Sequence, residues 1–238
     1  MKRAITSRPT AIHHGSKRRS GFTLIEIAIV LTVIGVIAAF AAPSITRSLE
    51  SGRGKAAAKS VLNAFNYARA QAIRTGNNQV VFFSAGGAGD AAGNALTSAD
   101  GRPVPILVLD DGRPGSPNQN CNVDLGEDAV GFQGEDGVGW GANRPTSADT
   151  APDDSALAIH SSGSTFLAPN GTTPVTWVLF RPDGIPVAID ASCNAGQLGS
   201  GSGSIYIWTE NRDYAITLSP LGAARVHTWN RNSGAWTS

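Results

Sequence analysis

One run of sequence limits what this chain can fold into more than any other. From Phe22 to Ala42 there are 21 residues with a single charge, Glu26, and Ile27–Ala42 carries none. About 20 apolar residues in a helix, at ~1.5 Å each, cross the ~30 Å hydrocarbon core of a bilayer. Backbone groups in lipid have no water to bond to, so such a segment has to be helical. Lys17-Arg18-Arg19 stand just before it and favour a cytoplasmic N-terminus, although basic residues also come after it. A cleaved secretory signal is the alternative, with Ala39-Phe40-Ala41 as its A-x-A site. The run is longer than the 7–15-residue core of such signals, and a carboxylate sits at its head.

Charge divides the rest. The whole chain is near neutral, with 19 Lys+Arg against 18 Asp+Glu. Residues 1–21 hold six basic side chains and no acid, so the remainder is net −5. Residues 47–74 are basic, whereas residues 100–154 hold eleven acids and three arginines. Lysines occur only at 2, 17, 55 and 59, which leaves the C-terminal region without one. Binding to phosphates scales with the number of cationic contacts, so nucleic acid is not an expected partner. Arg225 and Arg231 are the candidate DNA contacts, with Trp229 and Trp236 as stacking surfaces.

A carboxylate near the head of an apolar run costs roughly 2–3 kcal/mol if placed deep in lipid, so a sequence that keeps one provides it with a partner. Here Glu26 ends the run Gly21-Phe22-Thr23-Leu24-Ile25-Glu26. This closely resembles the processing signal of type IV prepilins and type II secretion pseudopilins. The resemblance implies that a membrane prepilin peptidase cuts after Gly21 and N-methylates Phe22. It also places Glu26 at the family's acidic position, where its carboxylate meets the Phe22 amine of a neighbouring subunit and sets the register. Both groups are costly in lipid unless paired. The expected partners are therefore the peptidase/N-methyltransferase, the inner membrane, and other major and minor pseudopilins, with secreted cargo left open.

After the apolar run, Pro43 is expected to kink or locally break the helix. In the family resembled, the stretch from glycine to proline, here Gly35 to Pro43, can lose helicity on assembly. Ala58, Val61, Phe65, Ala68 and Ala72 then form one apolar stripe at helical spacing, and Gly76-Asn77 supplies a stop. Arg69 and Arg74 are expected to face away from the stripe or cap its end. Gly52 and Gly54 each weaken the helix by roughly 1 kcal/mol against alanine.

Beyond the helix the chain reads as β: 78–84, 104–109, 156–160, 174–180, 185–189, 204–209, 213–218 and 224–229. Short turns at 210–213 and 219–222 make the last three strands an antiparallel meander, one face on the helical stripe and the other wet. Residues 110–155 read as a long acidic loop, and Gly199–Gly203 as a flexible tip. The fold expected is α+β: a long N-terminal helix packed on an antiparallel β-sheet head, pilin-like in organisation. Its parts are a cleaved leader (1–21), a membrane and filament-core helix (22–42), the second half of that helix (43–76) and a β-rich periplasmic head (77–238). Cys121 and Cys193 both lie outside the membrane in this reading, where disulfides persist. A bridge between them is expected, with two free thiols as the alternative.

Three further segments look like the GspH/FimT branch of minor pilins. They are Tyr67–Gly76, Phe180-Arg181-Pro182-Asp183-Gly184, and Leu218–Val226. The branch implies a helical spine under a small β-sandwich-like or two-sheet head and a low-copy subunit near a filament tip. Motifs for catalysis are missing: no G-x-x-x-x-G-K-[ST], H-E-x-x-H, C-x-x-C or G-x-S-x-G occurs. Asp124, Glu127 and Asp128 form an acidic cluster of the kind that binds Ca²⁺ through oxygen, but the spacing is not that of an EF-hand. No cofactor, metal or enzymatic activity is expected. The functions implied are a minor pseudopilin supporting export or, as the alternative, a minor pilin of a type IV pilus. A membrane-anchored secreted enzyme is the remaining class.

Overall fold

The computed structural model of the protein describes residues 21–84, 87–97, 101, 103–117, 119–141, 152, 159–230 and 233–237. The leader up to residue 20, Arg231, and the first three residues of the strand expected at 156–160 lie outside these. Two compact units divide the chain, Met1–Ser44 and Ile45–Ser238.

One helix, α1 (Leu24–Thr75), supplies residues to both units. Helical backbone continues through residue 43, so the local break expected there is not found. The helix ends where Gly76 adopts φ +72° and its N–H reaches the Ala72 carbonyl at 3.0 Å. Only glycine takes that left-handed turn without a Cβ penalty.

Among the described residues, the head of the second unit holds two five-stranded antiparallel sheets. The strands are β1 (Gln79–Phe83), β2 (Ile106–Asp110), β3 (Ala129–Phe132), β4 (Gly139–Trp140), β5 (Trp177–Phe180), β6 (Pro186–Val187), β7 (Gly203–Trp208), β8 (Asp213–Leu218), β9 (Ala224–Asn230) and β10 (Ala235–Thr237). Their orders are β3-β2-β1-β5-β6 and β10-β9-β8-β7-β4. The β7–β8 hairpin expected from sequence is present, but it turns at 209–212, one residue earlier than expected, with Trp208 opposite Asp213. Two strands, β3 and β4, lie within the segment expected to be a loop; at four and two residues they are too short for a periodicity signal. A third addition, β10, pairs Trp236 with Trp229 of β9.

The helical stripe is core as expected. Ala58, Val61, Phe65, Ala68 and Ala72 are buried with Val81 and Phe83 of β1, Val108 of β2, Val178 and Phe180 of β5, and Ile205, Tyr214 and Ile216 of the second sheet. Phe65 sits between the rings of Phe166 and Phe180, at 6.1 and 6.4 Å. The first sheet does not share the wet outer face expected of the meander. Val80, Phe82, Leu107, Leu109 and Leu179 point away from the helix into a second core, closed by Ala88, Leu96, Val104, Ile189 and Cys121 from the long connections. Every residue of β1 is buried, and its continuous apolar run is what two-sided burial requires.

Glycine in this head answers to close packing. A Cβ on Gly201 would stand 2.6 Å from the Val187 backbone nitrogen, and one on Gly203 would stand 2.9 Å from the Phe166 ring. The Gly199–Gly203 run is therefore a seat for neighbouring elements, which corrects its reading as a flexible tip. Gly52 and Gly54, alike in sequence, also separate. A Cβ on Gly54 would meet Tyr214 Cε2 at 2.7 Å and Thr209 Cγ2 at 2.8 Å, while Gly52 is exposed with nothing within 4 Å. Gly52→Ala should raise stability by roughly 0.5–1 kcal/mol, and Gly54→Ala should lower it by roughly 1–3 kcal/mol through overpacking. Paired denaturant titrations check the opposite signs, and equal shifts would refute the packing role of Gly54.

Candidate functional site

The N-terminal segment is built by a cap. Gly21, Phe22 and Thr23 lie outside the helix. The Thr23 hydroxyl oxygen accepts the Glu26 backbone N–H at 3.3 Å, and the Thr23 carbonyl accepts the Ile27 N–H at 3.2 Å. Threonine followed three residues later by glutamate is a capping-box pattern. It starts the helix at Leu24 and puts Glu26 in the first turn, the end of the helix where a negative charge is favoured. Thr32 settles its hydroxyl internally by donating to the Ala28 carbonyl at 2.8 Å. The apolar side chains here are exposed, Phe22 at 80% and Phe40 at 81%. A face of this size needs lipid or other helices to cover it. Gly35 has open space where a Cβ would stand.

On the head, Cys121 and Cys193 form a disulfide with Cα atoms 5.5 Å apart, as expected. Both adopt positive φ, 57° and 61°. Three loops meet there. Two of them repeat a short pattern, Asp90-Ala-Ala-Gly-Asn94 and Asp190-Ala-Ser-Cys-Asn194. In each the aspartate binds the asparagine N–H (2.8 and 2.9 Å) and the asparagine amide (2.9 and 3.0 Å). The left-handed residue is Gly93 in one and Cys193 in the other. The third loop brings Cys121, whose carbonyl accepts the Ala91 N–H at 3.2 Å. Asp111 lies beneath them, fully buried. Its Oδ1 accepts the N–H groups of Cys121 (2.9 Å) and Asn120 (3.2 Å), and its Oδ2 lies 3.7 Å from each sulfur. Burial pushes its pKa from 3.8 to about 6 against the lowering effect of those two N–H bonds.

Residues 16–42 match the prokaryotic N-terminal methylation motif. The chain thus begins with a type IV prepilin-like segment. Such a segment is processed by a prepilin peptidase and assembles with other pilins. Its apolar helix is long enough to cross a membrane. No curated protein and no solved structure matches the chain.

Behind this prepilin-like start, the three segments singled out by sequence, one on the helix and two in the head, converge on one junction. Arg69 is half-buried, and its Nη1 donates to the Gly222 carbonyl at 3.2 Å. Arg69, expected to face away from the stripe or cap the helix end, is thus held by the Gly222 turn. A Cβ on Gly222 would meet the Gly184 carbonyl at 2.5 Å, and one on Gly184 would meet Ile73 Cδ1 at 2.7 Å. Helix, Arg-Pro-Asp-Gly turn and Ser-Pro-Leu-Gly turn are thereby locked together. Arg74 stays exposed and bonds Gln71 at 2.8 Å.

The remaining candidates are not gathered into one site. Asp124 and Glu127 turn toward their own loop: Asp124 N–H binds Glu127 Oε2 at 3.0 Å, and Asp124 Oδ2 accepts Asn120 at 2.7 Å. Asp128 is exposed. Arg225 is exposed on β9, and Arg231 lies outside the described residues. Trp229 and Trp236 stack edge-on at 5.3 Å, with Tyr206 against Trp236 at 5.9 Å. The two tryptophans are thus engaged with each other on the outer face of the second sheet.

Sequence reasoning missed Asp111, because the second acid of an Asp110-Asp111 pair at a strand end carries no signal of burial. The repeated Asp-Ala-x-x-Asn pattern was the available clue to its surroundings. The raised pKa of Asp111 gives a signed prediction. The folded state holds this proton more tightly than the unfolded one, so the group's contribution is complete below about pH 4 and is lost as pH rises through about 6. Asp111→Asn should remove that loss, on the order of 2–3 kcal/mol, and raise stability at pH 7 relative to wild type more than at pH 4. Chemical denaturation of the oxidised protein at both pH values measures it.

Proposed function

We propose that the protein is a minor pseudopilin of a type II secretion system. In this reading it is cut between Gly21 and Phe22 and N-methylated on Phe22. It waits in the bacterial inner membrane with its head in the periplasm, then enters the pseudopilus near its tip to support protein export. The observation that carries the reading is the methylation motif over residues 16–42, with Glu26 four residues beyond Phe22 and in the first turn of α1.

The chemistry rests on charge in a low-dielectric place. Cleavage leaves an ammonium on Phe22, protonated at neutral pH, four residues before a carboxylate. The cap starts the helix only at Leu24, so the scissile bond meets the peptidase as non-helical backbone. Once packed among other helices, the amine of one subunit and the Glu26 carboxylate of the next neutralise each other. An axial slip would leave both buried without a partner, which is far more costly than the pair itself. The two-sheet head locked to the helix at Arg69, Gly184 and Gly222 supports the placement in the GspH/FimT branch. No catalytic activity is assigned to the chain; its work is packing and contact.

A minor pilin of a type IV pilus is the second reading, favoured by Arg225 standing exposed on β9 of the second sheet. Mass spectrometry of the membrane-extracted protein should find N-methyl-Phe22 as the first residue. Gly21→Leu should leave full-length precursor in the membrane. Glu26→Val should insert and be cut but fail to assemble. Deleting the gene should abolish export of secreted enzymes and spare surface pili; loss of pili with export intact would select the second reading.

A further inference from the structure

The disulfide lies beside a group that it does not need. Asp111 Oδ2 stands 3.7 Å from both sulfurs, yet bonded sulfurs have no proton to give it. Two thiols would, because each S–H could donate to that oxygen. The carboxylate is also pinned: its other oxygen holds the N–H groups of Asn120 and Cys121. The arrangement therefore fits the dithiol and the act of closing it better than it fits the finished bridge. The two residues differ in burial as well. Cys121 is fully buried, and Cys193 is half-buried in the 190–194 turn.

We propose that Asp111, Cys121 and Cys193 form a thiol–disulfide exchange site in which Cys193 meets an external disulfide and Asp111 takes the Cys121 proton as the bridge closes. The external reagent is a disulfide RS–SR, small or protein-borne. Cys193 gives its proton to solvent and its thiolate attacks the disulfide, making a Cys193–SR bond and releasing RS⁻, which takes a proton from solvent. The Cys121 proton then passes to Asp111 Oδ2. The Cys121 sulfur attacks the Cys193 sulfur, the S–S bond to R breaks, and a second RS⁻ leaves and is protonated by solvent, while Asp111 returns the Cys121 proton to solvent. Two protein thiols are oxidised and one RS–SR is reduced to two RSH. Exchange of this kind requires the thiolate, and a buried Cys121 has no solvent base at hand.

Asp111 suits the task because its pKa of about 6 leaves it ionised at neutral pH and near the working pH. The charges acting on it are the acids Glu127 and Asp124. The aspartates of the flanking loops, Asp90 and Asp190, are bound to Asn94 and Asn194 within their own turns.

The test uses the full-length protein in detergent micelles, reduced under native conditions, freed of reductant and mixed with oxidised glutathione. Acid-quenched, alkylated samples are followed by mass spectrometry. Wild type should show a brief glutathione adduct on Cys193, then closure at a rate independent of glutathione. That rate should rise with pH and level off above about 6–7 as Asp111 ionises. With Asp111→Asn the Cys193 adduct should accumulate, closure should slow about tenfold at pH 7, and its rate should keep climbing with pH. Cys121→Ser should trap the adduct at Cys193, and Cys193→Ser should give little adduct at Cys121. A purely structural Asp111 would change the amount of folded protein without moving the pH profile. Should Asp111→Asn fail to fold, the wild-type pH profile and the two serine variants decide. Equal closure rates and profiles in wild type and Asp111→Asn, a wild-type rate that never levels, or an adduct favouring Cys121 would overturn the assignment.

Discussion

The head is organised by close approach of two sheets to one face of α1. That face is made mostly of alanine: Ala57, Ala58, Ala64, Ala68 and Ala72 are all buried. Alanine keeps helix propensity high and leaves room for large partners. The aromatic rings come from the sheets and connections, with Phe166 and Phe180 against Phe65 and Phe83 against Phe166. Dense packing of this sort transmits strain instead of absorbing it. The head is thereby fastened to the second part of the helix whose first turn carries Glu26. Gly54, Gly184 and Gly222 serve the same end, each placed where a Cβ would collide with the element packed on it.

The first part of α1 obeys the opposite rule. Its apolar side chains are exposed, and its charge is concentrated in one carboxylate. Such a surface is incomplete in water. In the proposed reading, lipid would satisfy it before assembly and neighbouring helices afterwards, and the two environments differ little in polarity. A charge pair can therefore choose between registers that hydrophobic contact would leave nearly equal. Glu26 fits that role because its position is set by the Thr23 cap.

Away from the helix, the first sheet is closed by loops with little regular structure of their own. The disulfide and the paired Asp–Asn turns hold those loops against Leu107, Leu109 and Leu179. Closing a 72-residue separation restricts the unfolded chain by roughly 4 kcal/mol in the chain-entropy treatment. Burying Asp111 in the same place offsets part of that gain. A group kept at such a cost calls for a use, and proton transfer at the bridge supplies one.

How much could be read from residues alone depends on where the information is local. The apolar run, the Gly21-Phe22 signal, Glu26, the stripe from Ala58 to Ala72 and the meander of β7, β8 and β9 all declare themselves through spacing within a few turns. The cysteine pair was legible too, since only two are present and both lie beyond the apolar run. Two-sided burial of β1, the pairing of β3 and β4, the placement of Arg69 on the Gly222 carbonyl and the burial of Asp111 were not. Each depends on segments tens to more than a hundred residues apart meeting in space, and Gly52 and Gly54 show the difference most simply. The same residue type on the same helix is open to solvent at one position and pressed against Tyr214 at the other. Local propensity sets which elements form, and only their packing decides what each side chain touches.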